Sequence, residues 1–224
     1  MSDDQSWNLS ELKACIKARF GKEHAERASL SIQSVLQRLA HFAFHRDELI
    51  KCSEKFEAES RSDSINRIFA KEDEQLNETT IQFSAHAIAA VQALHAVTDL
   101  LGSAIYLSFN NVSQWKGNLK SAIKSAHDDI KQLVDELQDH SDYSYLTAVV
   151  NQSKHRNVVR VPLVVPMSDN SPARFQFETF KRDAESYSSR DVISFLDAEG
   201  ARQHDVILRI GIKLNGLANA AIFS

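Results

Sequence analysis

The sequence predicts a mainly α protein: an antiparallel bundle of long helices with a small β-hairpin placed before a C-terminal helix. Three observations predict it. Only 6 Gly and 3 Pro occur in 224 residues, and all three Pro fall between Pro162 and Pro172, so long helices are free to form on either side. Apolar residues recur at threes and fours through most of the chain, the spacing that lines one helix face. Near Asn157 the period drops to two, the period of a strand.

In chain order, Asn8 or Ser10 is placed to cap a short helix through Phe20, with Gly21 as its stop. A long helix is expected over Lys22–Phe56, striped by Ile32, Val35, Leu36, Leu39, Phe42, Leu49 and Ile50. The stripe fades into FEAESRSDS, and Ile65, Ile68 and Phe69 read as a separate short amphipathic piece. A second long helix should run from about Glu72 to Phe109, roughly 55 Å at about 1.5 Å per residue. Leu76, Phe83, Ala87, Val91, Leu94, Thr98, Leu101 and Ile105 form its stripe. After the Asn110-Asn111 turn, Ser113 is placed to cap a third helix carrying Trp115, Leu119, Ile123, Ala126, Ile130, Leu133 and Leu137. Asp142 is placed to cap the helix from Tyr143 to His155. Short connections between such helices favour an antiparallel bundle.

Val159, Val161, Leu163 and Val165 should then face one side of a strand, with Arg160, Pro162 and Val164 on the other. Pro162 lacks a ladder donor, which suits an edge. PMSDNSP is turn chemistry; Phe175, Phe177 and Thr179 alternate as a return strand, and a further short strand is expected near Tyr187. Val192, Phe195 and Leu196 open a final helical stripe that resumes at Val206, Ile207, Ile210, Leu214, Leu217 and Ala221, divided at Gly200. The whole chain reads as one domain, with residues 22–156 as the main bundle, 157–188 as the hairpin insertion and 190–221 as the C-terminal helix.

Composition narrows the function. Hydrophobic residues make up 43% and charged ones 25%, with a formal charge of −4, which argues against a basic coat for duplex DNA. The balance is uneven: residues 1–150 carry 16 Lys/Arg against 22 Asp/Glu, residues 151–224 carry 10 against 8. Cys15 and Cys52 form no C-x-x-C pair. The start, MSDDQSWNLS, has no apolar run, and the longest apolar stretch, Ile81 to Leu107, is interrupted by His86, Gln92, His95 and Asp99. A cytoplasmic location without membrane contact is expected. G-x-G-x-x-G, Walker, G-x-S-x-G and zinc-ribbon patterns do not occur in the sequence, and no cofactor is expected.

The densest polar cluster lies where helical period hands over to strand period. Asn151, Lys154 and His155 share a helical side at spacings of three and four, and Arg156 follows. An amide, an imidazole titrating near neutrality and fixed cations suit a phosphodiester, and cations in a last helical turn also complement the helix dipole. A second cluster pairs His95 with Asp99. An ionised carboxylate beside an apolar stripe is costly unless paired, so Asp99 is expected near Lys154, His155 or Arg156. His41 and His45, four apart on one helix, have the spacing to place two imidazoles on a metal, with His86 available on another helix.

A bundle with LHAVTD on one long helix and NQSKHR on a later one resembles uncharacterised bacterial helical proteins related to the HEPN superfamily. The resemblance covers roughly Lys22 to Arg156. It implies a dimeric bundle, an RNA or nucleotide ligand, a partner protein from the same operon, and in many members metal-independent ribonuclease activity of a toxin or antiphage system. The family's catalytic signature is an Arg, often followed by a polar residue, with a His four to six residues later; here Arg156 follows His155. What carries over is His155 as general acid or base, with Lys154 or Arg156 as the cation, Asn151 orienting, and Asp99 with His95 behind them. The alternative reading is a non-catalytic helical adaptor.

Overall fold

A computed structural model describes residues 7–69, 74–111, 117–155, 158–165 and 173–223. It is a mainly α, antiparallel helical bundle with a small antiparallel strand region ahead of the last helix. The helices are α1 (Leu9–Phe20), α2 (Lys22–Phe69), α3 (Glu74–Phe109), α4 (Leu119–Ala122), α5 (Asp128–Gln138), α6 (Ser141–His155) and α7 (Val192–Phe223). The strands are β1 (Leu163–Val164), β2 (Arg174–Phe177), β3 (Phe180–Arg182), β4 (Glu185–Tyr187) and β5 (Arg190–Asp191).

Local chemistry sets the boundaries. Asn8 Oδ1 accepts the Glu11 N–H at 3.1 Å, satisfying one of the donors a helix start leaves open. Gly21 closes α1 at φ 87°, its N–H reaching Lys17 O, and α2 begins at the next residue. That helix runs to Phe69 without the break read at FEAESRSDS. Glu, Ala, Arg and Lys are strong helix formers, so a polar stretch without Gly or Pro does not end a helix. The side chains of Ile65, Ile68 and Phe69 lie outside the described residues.

The expected third helix is instead two. Asn118 and Ser121 cap α4 reciprocally, a 3-10 turn follows at Ile123–Ser125, and Ala126 turns extended at ψ 158°. His127 then caps α5, Nδ1 accepting from the Asp129 N–H at 3.3 Å, with Asp128 and Asp129 on the favourable end of the dipole. Ser113 and Trp115 lie outside the described residues. At α6 the capping acceptor is His140 Nδ1, bonded by the Asp142 N–H at 3.2 Å, while Asp142 sits in the first turn. Gly200 does not divide the last helix; α7 is continuous from Val192 to Phe223.

The chain forms two compact units, 1–39 with 94–144 and 200–224, and 40–93 with 145–199. In the first unit, Leu12 and Ile16 of α1, Ile32 and Val35 of α2, and Leu101 and Ile105 of α3 close one core with Ile130, Val134 and Leu137 of α5 and Ile207, Ile210 and Leu214 of α7. Each fully buried Leu or Ile contributes about 1.5–3 kcal/mol. α5 and α7 are antiparallel neighbours here: Asp129 meets Lys213 at 2.8 Å and, two turns on, Glu136 meets Arg209. Arg202 donates to the Glu136 and Leu137 carbonyls, satisfying acceptors that the end of α5 leaves open. Against α1, Cys15 Sγ donates to Asn219 Oδ1 at 2.8 Å, and Asn215 Nδ2 donates to Asn8 O at 2.7 Å. His24 is 2% exposed. Its Nε2–H donates to the Leu107 carbonyl at 2.8 Å, fixing the end of α3.

In the second unit, β1, β2 and β5 make an antiparallel sheet in the order β1-β2-β5, and β3 pairs with β4. The ordered ladder of β1 is only two residues, yet the alternation holds along 159–165. Val159 and Val161 are buried, and Arg160, Pro162 and Val164 are exposed. Phe175 stacks on Phe83 of α3 (ring centroids 3.9 Å) with Phe56 of α2 at its edge. Tyr145, Phe177 and Phe195 form a second aromatic group, and the Arg190 guanidinium lies 4.3 Å from the Tyr145 ring centre.

The apolar character of α3 is greater than its interruptions suggest. Within Leu76–Phe109 an 18-residue window has a mean hydropathy of 1.4, so the helix is long and apolar enough to cross a membrane by length and composition, and 56% of that window is buried against protein. A core helix passes the same test.

Candidate functional site

The end of α6 carries the predicted cluster. Its inner face buries Tyr145, Leu146, Ala148, Val149 and Val150, which anchors the helix and fixes where the polar face points. Asn151 is half-buried and Lys154 is exposed. They are three residues apart, so an amide held against the fold stands beside a cation in solvent. His155 closes the helix; its side chain, and all of Arg156, lie outside the described residues. The hairpin following α6 in the same unit turns Arg160 and Arg174 to its solvent face, opposite the buried Val159, Val161, Phe175 and Phe177. The Arg160 carbonyl accepts from Glu178 N–H at 3.0 Å, so backbone pairing sets that face.

The second predicted cluster has a different environment from the one expected. Asp99 is 70% exposed, with His95 Nδ1 at 4.0 Å. A solvated carboxylate has no desolvation cost to offset, so the reason for expecting a cation partner does not apply to it. His95 faces protein instead, its ring parallel to Tyr143 at a centroid distance of 6.2 Å. Thr98 Oγ1 donates to the His95 carbonyl at 2.8 Å, which uses its only proton. The 3.1 Å contact between the Thr98 and Tyr143 hydroxyls is therefore donated by Tyr143. This group joins α3 to the start of α6 within the first unit.

His41 is exposed, and the partner of His45 is His86, Nδ1 to Nδ1 at 3.0 Å. Burial holds the His45 imidazolium below its ordinary range, helped by the positive charge of His86 and His41 and opposed by Glu48. The Tyr145 phenol is pushed up to about 12 by burial, with Arg190 pulling the other way.

Sequence reasoning passed over the buried polar residues of the stripes themselves. Glu199 and Gln203 are fully buried in α7 and Gln152 is 6% exposed in α6. Their signal was present: Leu196, Glu199, Gln203, Val206 and Ile210 keep one helical face. A polar residue at a stripe position marks a group the fold encloses.

No family model, curated protein or solved structure matches the chain.

Proposed function

We propose that the protein is HEPN-like and engages single-stranded RNA or a nucleotide phosphate at the end of α6. Lys154 and the hairpin arginines Arg160 and Arg174 supply charge, and Asn151 orients the ligand. The observation that carries this reading is the exposed Lys154 beside half-buried Asn151, ahead of a hairpin whose solvent face bears two more cations. Phosphate contacts of this kind supply sequence-independent affinity. In the catalytic form of the reading, His155 takes or returns the proton of a ribose 2′-hydroxyl and Lys154 stabilises the charge that develops on phosphate.

The test is incubation of labelled single-stranded RNA with the full chain in excess EDTA. The reading expects binding, and in its catalytic form cleavage that His155→Ala lowers by about 10²–10⁴-fold with helical content unchanged. Absence of both binding and cleavage at micromolar protein overturns it.

A second reading, a non-catalytic helical adaptor, is favoured by large apolar side chains left in solvent in the second unit: Phe44 is 57% and Ile81 69% exposed. Buried aromatic and aliphatic anchors dominate protein interfaces. The adaptor reading expects no RNA affinity and a partner interaction weakened by Phe44→Ala or Ile81→Ala.

A further inference from the structure

We propose that His45 and His86, with Glu48 as third ligand, form a site for a divalent transition metal of the Zn²⁺ class. The two imidazoles come from different helices, α2 and α3, and their Nδ1 atoms approach to 3.0 Å. Two nitrogens on one tetrahedral Zn²⁺, each at about 2.0–2.1 Å, stand about 3.3 Å apart. The pair thus needs to open by only about 0.3 Å, with both lone pairs turning toward a common point. The ring that now donates through Nδ1 moves that proton to Nε2, so the neutral pair becomes two acceptors without losing a proton overall.

The surroundings suit a cation. Glu48 lies one helical turn from His45; its carboxylate does not already converge within 4.8 Å of the imidazole pair, so it must turn from Lys51 toward that pair to ligate. Glu48 currently accepts from Lys51 Nζ at 2.6 Å; that ammonium is 68% exposed and is free to swing into solvent when the metal arrives. Both imidazoles are half-buried, and Phe44, itself 57% exposed, lies edge-on to both. A fourth position remains for water. His41 stands outside the set: it is exposed, one turn before His45.

The experiment is titration of untagged full-length protein with Zn²⁺ by calorimetry and with Co²⁺ by absorption, where ligand-field bands report tetrahedral nitrogen and oxygen ligation. One metal per chain is expected at micromolar protein. His45→Ala and His86→Gln should each weaken binding by about tenfold or more and remove the Co²⁺ bands, with circular dichroism unchanged. Glu48→Gln should weaken it by about tenfold, and His41→Ala should leave it within about twofold. Absence of binding, or binding that survives both histidine changes, overturns the site. Dependence on His41 with indifference to Glu48 overturns the ligand set.

Discussion

Gly102 sits inside α3, where helix propensity alone says that Ala should be the better residue by about 1 kcal/mol. The structure predicts the opposite sign. A Cβ built on Gly102 would stand 2.8 Å from Leu119 Cα and 2.9 Å from Leu119 N. These are backbone atoms at the start of α4, where the Asn118–Ser121 capping box pins the chain. No rotamer relieves such a contact, so α4 must retreat by about half an ångström or more, and over-packing of this kind costs about 1–3 kcal/mol. With the propensity gain subtracted, Gly102→Ala should destabilise by up to about 2 kcal/mol. Gly216 is the control, an exposed glycine in α7 with nothing within 4 Å of its added Cβ. Gly216→Ala should stabilise by about 0.5–1 kcal/mol. Chemical denaturation with parallel thermal melts measures both; at about 2–4 °C per kcal/mol for a chain of this size, the two variants should separate by several degrees. A Gly102→Ala protein stabilised as much as Gly216→Ala would refute the close approach of α3 and α4.

Two further outcomes follow from buried groups. The Tyr145 hydroxyl is buried and has no hydrogen-bond partner among the described residues, so Tyr145→Phe should be neutral or stabilising by about 1 kcal/mol; a loss above 1 kcal/mol in urea unfolding would show that the hydroxyl has a partner. The His45 pKa is lowered in the fold, by burial first and then by His86 and His41, against Glu48. The unfolded chain therefore binds the extra proton more readily. The stability this bias contributes is fully present above the ordinary histidine value of about 6.5 and is lost as pH falls from there toward the lowered folded value. Unfolding at about pH 7.5 and about pH 5.5 should show that loss in wild type and a smaller one in His45→Gln; equal losses would contradict it.

Much of the helical frame was legible because its signals are local. Asn8 and Gly21 bracket α1 through a side-chain cap and a positive φ, both written in single residues. The alternation Val159-Arg160-Val161-Pro162 fixed which side of the hairpin is buried, although the ladder itself is shorter than the pattern. Where the reading failed, a local signal was overruled. Beyond Phe56, FEAESRSDS has only Ala58 to continue an apolar stripe, yet it contains no breaker, and Gly200 weakens α7 too little to interrupt a stripe continuing on both sides. The break before α5 depends on His127 acting as a cap, an uncommon choice for which Asp128-Asp129 was the available hint. Asp99 was read on the flank of its stripe, where a small rotation separates interior from solvent, and at 70% exposure it lies on the solvent side. The His45–His86 contact depends on the register of α2 against α3, which no spacing within either helix encodes.

The most direct test of the proposed ligand is the salt dependence of single-stranded RNA affinity, measured by anisotropy for wild type and Lys154→Ala. Three phosphate contacts, from Lys154, Arg160 and Arg174, give a slope of log K against log salt of about −2, since each contact on a single strand contributes about −0.7. Removing Lys154 should flatten the slope by about 0.7 and weaken binding to all sequences alike. A wild-type affinity indifferent to salt, or a slope unchanged in Lys154→Ala, would contradict phosphate recognition at the end of α6.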